Sequence, residues 1–159
     1  MTRAAIAVLV AAALASCGSD DDGGAAKSSA ASTPSYVARA DAICATANKK
    51  EAAAGAPGPG WVYMREFDDA RFIEKFNAAG HEAVKELRTL EAPATQRARA
   101  EAMIAAIAQM VKALDGRIAD LEAGTGDASD RIRAYLDGYS DLTPAAAVLG
   151  LSECQGVSL

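Results

Sequence analysis

The most regular feature of the chain is a series of apolar residues whose spacing alternates between four and three. Ala100, Ile104, Ile107, Val111, Leu114, Ile118 and Leu121 follow it without a miss. Such a series puts every member on one side of a helix and, over about three heptads, commits the chain to helix–helix packing. Met103 and Met110 widen the seam into a core-facing stripe. Arg97, Arg99, Lys112 and Arg117 alternate in sign with Glu101, Asp115, Asp120 and Glu122, the pattern of a solvated face. The helix is expected from Pro93 to Ala123. Its seam can pack inside the domain or against a second molecule. The first is favoured, because the other helices also need cover.

Three more segments carry helical signals. Thr33 as cap and Pro34 at the first helical position open one. In it Val37, Ala40, Cys44, Ala47 and Ala54 share a stripe with Tyr36 and Ile43 beside them, while Arg39, Lys49, Lys50 and Glu51 lie mainly elsewhere. Gly55 ends it, and the Pro/Gly run that follows forbids continuation. Asp68 as cap and Phe67 with Phe72 as a hydrophobic staple open the next, expected from Asp69 to Glu91. Phe72, Phe76, Ala79, Ala83, Leu87 and Leu90 form its inner face. Asp127 caps the last, in which Ile132, Tyr135, Leu136, Tyr139 and Leu142 face inward. Thr143-Pro144 reads as a kink or restart before an end near Leu149-Gly150. Val, Ile and Thr nowhere alternate as a strand requires. The expected fold is all-α, an up-down four-helix bundle.

The N-terminus points to a cellular address. Met1-Thr2-Arg3 carries one positive charge, and Ala4 to Leu14 is apolar throughout. That run is shorter than the roughly 20 residues needed to span a bilayer. With small residues at its end it reads as an export signal. Leu14-Ala15-Ser16-Cys17 closes the run as an aliphatic residue, two small ones and a cysteine. The quartet resembles the lipobox of bacterial lipoproteins. The resemblance implies a diacylglycerol thioether on Cys17, cleavage before it, and acylation of the new amino group with a palmitate-type chain. Two or three acyl chains, at about 0.8 kcal/mol per buried CH2, anchor a protein stably. The expected organisation is a signal peptide over 1–16, a lipidated cysteine and disordered tether over 17–33, and a helical domain over 34–159. The tether is rich in Gly, Ala, Ser and Asp, and Asp20-Asp21-Asp22 reads as a solvated spacer rather than a cation site.

Lipidation of Cys17 leaves Cys44 and Cys154. In an exported domain the pair favours a disulfide, which would tie the C-terminal tail to the middle of the first helix. Two free thiols or a two-cysteine metal site are the alternatives, the latter lacking nearby His or further Cys. Ala40-Asp41-Ala42-Ile43-Cys44, together with Leu149-Gly150-Leu151 ahead of Cys154, resembles small exported helical lipoproteins of high-GC actinobacteria. That likeness implies a disulfide-closed helical domain and no particular activity.

Chemistry-bearing patterns are sparse. His81 is the only histidine, with no metal-ligand partner at the usual spacing and no Glu or Asp three residues before it. No catalytic residue, metal site or cofactor is expected. Removing residues 1–16 deletes Arg3 alone, leaving 15 basic against 21 acidic side chains, net −6. With no basic face apparent, nucleic acid is not an expected partner. Trp61, Tyr63, Met64 and Phe67 cluster in one loop of a chain only 5% aromatic. They form either a plug over one end of the bundle or a contact for a ligand or partner. The expectation is a non-enzymatic protein held at the extracytoplasmic face of the cell membrane by Cys17, acting on an envelope protein or lipid. The alternative is a bundle binding a small molecule or lipid under the Trp61–Phe67 loop.

Overall fold

Ser35, extended and one residue before the first buried side chain, starts the helical body by accepting a hydrogen bond from the Ala38 amide at 3.2 Å. The computed structural model describes residues 34–55 and 65–155, all within one compact unit, Thr33–Leu159. Helix α1 spans Tyr36–Ala54, α2 Ala70–Leu87, α3 Arg97–Glu122, α4 Ala128–Leu149 and α5 Ser152–Gln155, with a 3-10 turn at Arg65–Asp68. No strand occurs among the described residues. The expected cap at Thr33 lies outside them. Pro34 precedes the cap rather than following it, so α1 begins where its buried face begins, at Tyr36.

The four long helices form an up-down bundle. Lys50 of α1 pairs with Glu82 of α2, and Asn77 of α2 reaches Val111 and Asp115 of α3. Between α3 and α4 the partner numbers run in opposite directions. Asp120 pairs with Arg131, Gln109 bonds the Ala134 carbonyl, and Met110 and Ala106 meet Gly138. A Cβ on Gly138 would stand 2.7 Å from Met110 Cγ and 3.0 Å from the Ala106 carbonyl oxygen. Only glycine permits this approach. The core is filled by Phe67, Phe76, Met103, Met110, Tyr135 and Leu142, with buried alanines between them.

Four boundaries differ from the sequence-based expectation. Asp69, not Asp68, caps α2, accepting from the amides of Arg71 at 3.0 Å and Phe72 at 3.3 Å. This cap moves the staple positions to 68 and 73, so Phe67 and Phe72 do not occupy them. Helix α2 stops at Leu87 instead of Glu91. The amides of Thr89 and Leu90 fall back to carbonyls three residues earlier, and the Thr89 hydroxyl bonds the Glu86 carbonyl at 2.7 Å. Pro93 to Gln96 is a turn, so α3 starts at Arg97. Helix α4 runs through Pro144 without a restart. Ser140 and Pro144 both lie on the exposed side, where water can satisfy a carbonyl that proline leaves without its helical donor.

Asp127 caps α4 as expected, accepting from the Ser129 amide at 2.8 Å. Its other end is a Schellman turn, with Gly150 left-handed at φ 75° and the Leu151 amide on the Ala146 carbonyl. The turn buries Leu151 and launches α5, which packs against both α1 and α4. Cys154 of α5 is bonded to Cys44 in the middle of α1, S–S 2.00 Å. Asp41 secures the junction. Its two carboxylate oxygens accept from the Glu153 amide at 2.7 Å and the Ser152 hydroxyl at 2.9 Å. Asn48 adds a bond to the Glu153 carbonyl at 2.9 Å.

Candidate functional site

Alanines on the outer side of α3 leave room that larger residues would fill. Two adjoining open grooves result, sharing Arg88 and Ala105. The first, of about 430 Å³, lies beside the α2–α3 turn and the start of α1. Leu87, Leu90, Ala92, Ala100 and Ile104 give it an apolar lining, and its charged residues, Arg88, Arg97, Glu91 and Glu101, balance. Tyr36 closes its inner side. Burial raises the Tyr36 phenol above its ordinary pKa, and its hydroxyl has no hydrogen-bond partner among the described residues. The second groove, of about 630 Å³, continues along α3 towards α4. Arg88, Lys112 and Arg131 line it with Gln109 and four alanines, and no carboxylate among the described residues does. Both volumes fall within the range of small-molecule sites.

The three cations are not equivalent. Arg131 donates from Nε and from its terminal nitrogen to the two oxygens of Asp120, at 2.8 and 3.3 Å. That pairing holds the Asp120 carboxyl below, and the Arg131 guanidinium above, its ordinary pKa. Arg88 and Lys112 have no ion-pair partner among the described residues.

Three polar groups elsewhere are structural. Asp115 Oδ1 accepts from the Asn77 amide at 2.8 Å and from His81 Nε2 at 2.9 Å, tying α2 to α3. His81 is therefore half-exposed and committed to a carboxylate across the helix pair. Arg117 is buried, against the expectation that it belongs to the solvated face. It donates to the Phe67 carbonyl at 3.1 Å and to Asp68, and its guanidinium lies 5.5 Å from the centre of the Phe67 ring. Glu51, also expected away from the buried stripe, is 1% exposed. Neither of its carboxylate oxygens has a hydrogen-bond partner among the described residues, and burial pushes its pKa up to about 8.

Of the residues singled out in the sequence, Cys44 and Cys154 are joined. Cys17, Trp61, Tyr63 and Met64 lie outside the described residues. Phe67 is 2% exposed, sits in the core under Arg117 and lines neither groove. Among the described residues no three His, Cys, Asp or Glu side chains are grouped to hold a metal, and no helix is long and apolar enough to cross a membrane. The grooves were missed because Arg88 and Lys112 are ordinary surface charges in the sequence. Their one sequence signal is the alanine content of the α3 outer face. Comparison of the chain with protein-family models, curated proteins and solved structures gives no match.

Proposed function

We propose that the chain is a bacterial lipoprotein, anchored through Cys17 at the extracytoplasmic face of the cell membrane. Its helical domain would act there as a non-catalytic interaction module. The observation that carries the reading is the coupling of two cysteine chemistries in one chain. Leu14-Ala15-Ser16-Cys17 closes an export-type apolar run. Downstream, Cys44 and Cys154 are covalently joined. A structural disulfide of this kind persists in oxidising compartments outside the cytoplasm, which is where a lipobox would deliver the domain. The acidic, Gly-rich stretch between Cys17 and Pro34 suits a spacer repelled by anionic lipid.

The reading is tested by growing producing cells on an alkyne-tagged palmitate. Label is expected on the protein in the membrane fraction and is expected to vanish in Cys17→Ser. Unlabelled wild type, or label that survives Cys17→Ser, would overturn the anchor. Crosslinking in intact cells tests the interaction role. A discrete heteromeric product supports it, and recovery of monomer alone counts against it. The second reading, a ligand-binding bundle, is favoured by the paired grooves on the α2–α3–α4 face, residues 61–64 of the Trp61–Phe67 loop lying outside the described residues.

A further inference from the structure

The two grooves differ in chemistry along one line. At the α2–α3 turn the lining is apolar, with Leu90 and Ile104 as its partly exposed aliphatic members, and its charges cancel. Past Arg88 the lining turns cationic, in a chain whose net charge is −5. Ile104 and Lys112 lie eight residues apart on α3, about 12 Å along the axis. A medium-length acyl chain covers that span. We propose that the joined grooves bind an anionic single-chain amphiphile, its tail along Leu90 and Ile104 and its head between Arg88 and Lys112.

Charge sets the polarity of the ligand. In the apolar groove Arg88 and Arg97 are offset by Glu91 and Glu101, so an anionic head gains no net attraction there, whereas the second groove offers cations without a lining carboxylate among the described residues. Arg131 is already engaged by Asp120, so Arg88 and Lys112 supply the free donors. The apolar part buries tail methylenes, and charge-assisted hydrogen bonds fix the head. The shared chemistry is a hydrocarbon chain with one anionic group, either the carboxylate of a fatty acid or the phosphate of a lysophospholipid. Access rests on the anchoring reading above. Such an anchor would keep the domain close to the membrane, where single-chain amphiphiles partition.

The test uses the full chain in membranes of producing cells and three photo-crosslinking probes. They are a diazirine-bearing laurate, a diazirine-bearing lauroyl lysophosphatidylglycerol and a neutral diazirine-bearing dodecyl maltoside. Peptide mapping is expected to place saturable labelling by one or both anionic probes within residues 87–105, at least about tenfold above the neutral probe. A stronger laurate signal identifies a fatty acid as the ligand source, and a stronger lysophospholipid signal a membrane lipid. Arg88→Ala with Lys112→Ala, both exposed positions, is expected to cut anionic labelling about tenfold without moving the thermal melt. Equal labelling by the neutral probe, labelling spread over the surface, or an unaffected double variant would overturn the site. The peptide carrying Cys17 is read in the same spectra. An unacylated Cys17 with normal groove labelling would therefore remove the anchor and leave the site standing.

Discussion

Replacing Glu51 by Gln should change how the fold responds to pH. The Glu51 side chain occupies the buried stripe of α1, and both carboxylate oxygens are without hydrogen-bond partners among the described residues. Burial disfavours the charged form and raises the pKa from 4.5 to about 8. Between those values the folded chain holds a proton that the unfolded chain releases. Stability from this group is therefore greatest below pH 4.5, falls as pH rises, and levels off above about 8. At about 1.4 kcal/mol per pH unit, the interval amounts to about 5 kcal/mol. That is comparable with the whole stability of many domains, which is about 5–15 kcal/mol. Asp120 and Asp127, whose pKa values are lowered by Arg131 and by Ser129 respectively, act in the opposite sense and lose their contribution in acid. They are common to both proteins and cancel in the difference. Urea denaturation followed by helix circular dichroism, with the disulfide intact, is run on wild type and Glu51→Gln from pH 5 to pH 9. Wild type should lose several kcal/mol over that range. Glu51→Gln should lose little and be the more stable protein at pH 9. Parallel curves for the two proteins would refute the reasoning.

Three further outcomes follow from the packing. Reduction of Cys44–Cys154, which closes a separation of 110 residues, should cost about 4–5 kcal/mol on the chain-entropy model and expose the α5 amides to hydrogen exchange; an unchanged denaturation midpoint would count against it. Arg117→Met should destabilise by about 1–3 kcal/mol in chemical denaturation, because it removes the buried donor to the Phe67 carbonyl, whereas the exposed Asp68 regains water; Arg117→Met as stable as wild type would show that the clamp contributes nothing net. Gly138→Ala should cost about 1–3 kcal/mol, since its Cβ meets the backbone of Ala106. Gly116→Ala meets only the guanidinium end of Arg131, whose displacement loosens the half-exposed Asp120 pair but no backbone, and should cost less than about 1 kcal/mol, so equal losses at the two positions would contradict the close-approach argument.

The helices, their order and the sulfur link were legible because each rests on a local or compositional signal. Apolar periodicity, a cap at Asp127, a terminating Gly150 and two cysteines suffice for an up-down bundle closed at Cys44–Cys154. What was not legible depends on where the stripe is centred. Ala100, Ile107, Val111 and Leu114 of the regular seam are buried as expected, whereas Ile104, Ile118 and Leu121 lie half-buried and Met103 and Met110 are completely covered. The core face of α3 is centred between Ala100, Ile107 and Leu114 of the seam and a second series through Met103 and Met110. The next member of that second series, seven residues past Met110, is Arg117, which is why a charged side chain lies inside. The same logic holds in α1, where Ala40, Cys44 and Ala47 lead to Glu51 at the next inward position. In both cases residue type suggested solvent and helical position dictated burial. The grooves were hidden for a different reason. They are made by small residues on a surface, and an absence of bulk leaves no periodic mark.

The central claim, a lipid-held and disulfide-closed helical domain, is tested most directly by intact mass measurement of the unreduced protein extracted from its own membranes. The chain is expected to begin at Cys17 and to be heavier by a diacylglyceryl group and an acyl chain, and a non-reducing digest of the same sample is expected to release the Cys44 and Cys154 peptides as one linked species. A chain that retains residues 1–16, an unmodified Cys17, or two separately alkylated peptides would contradict it.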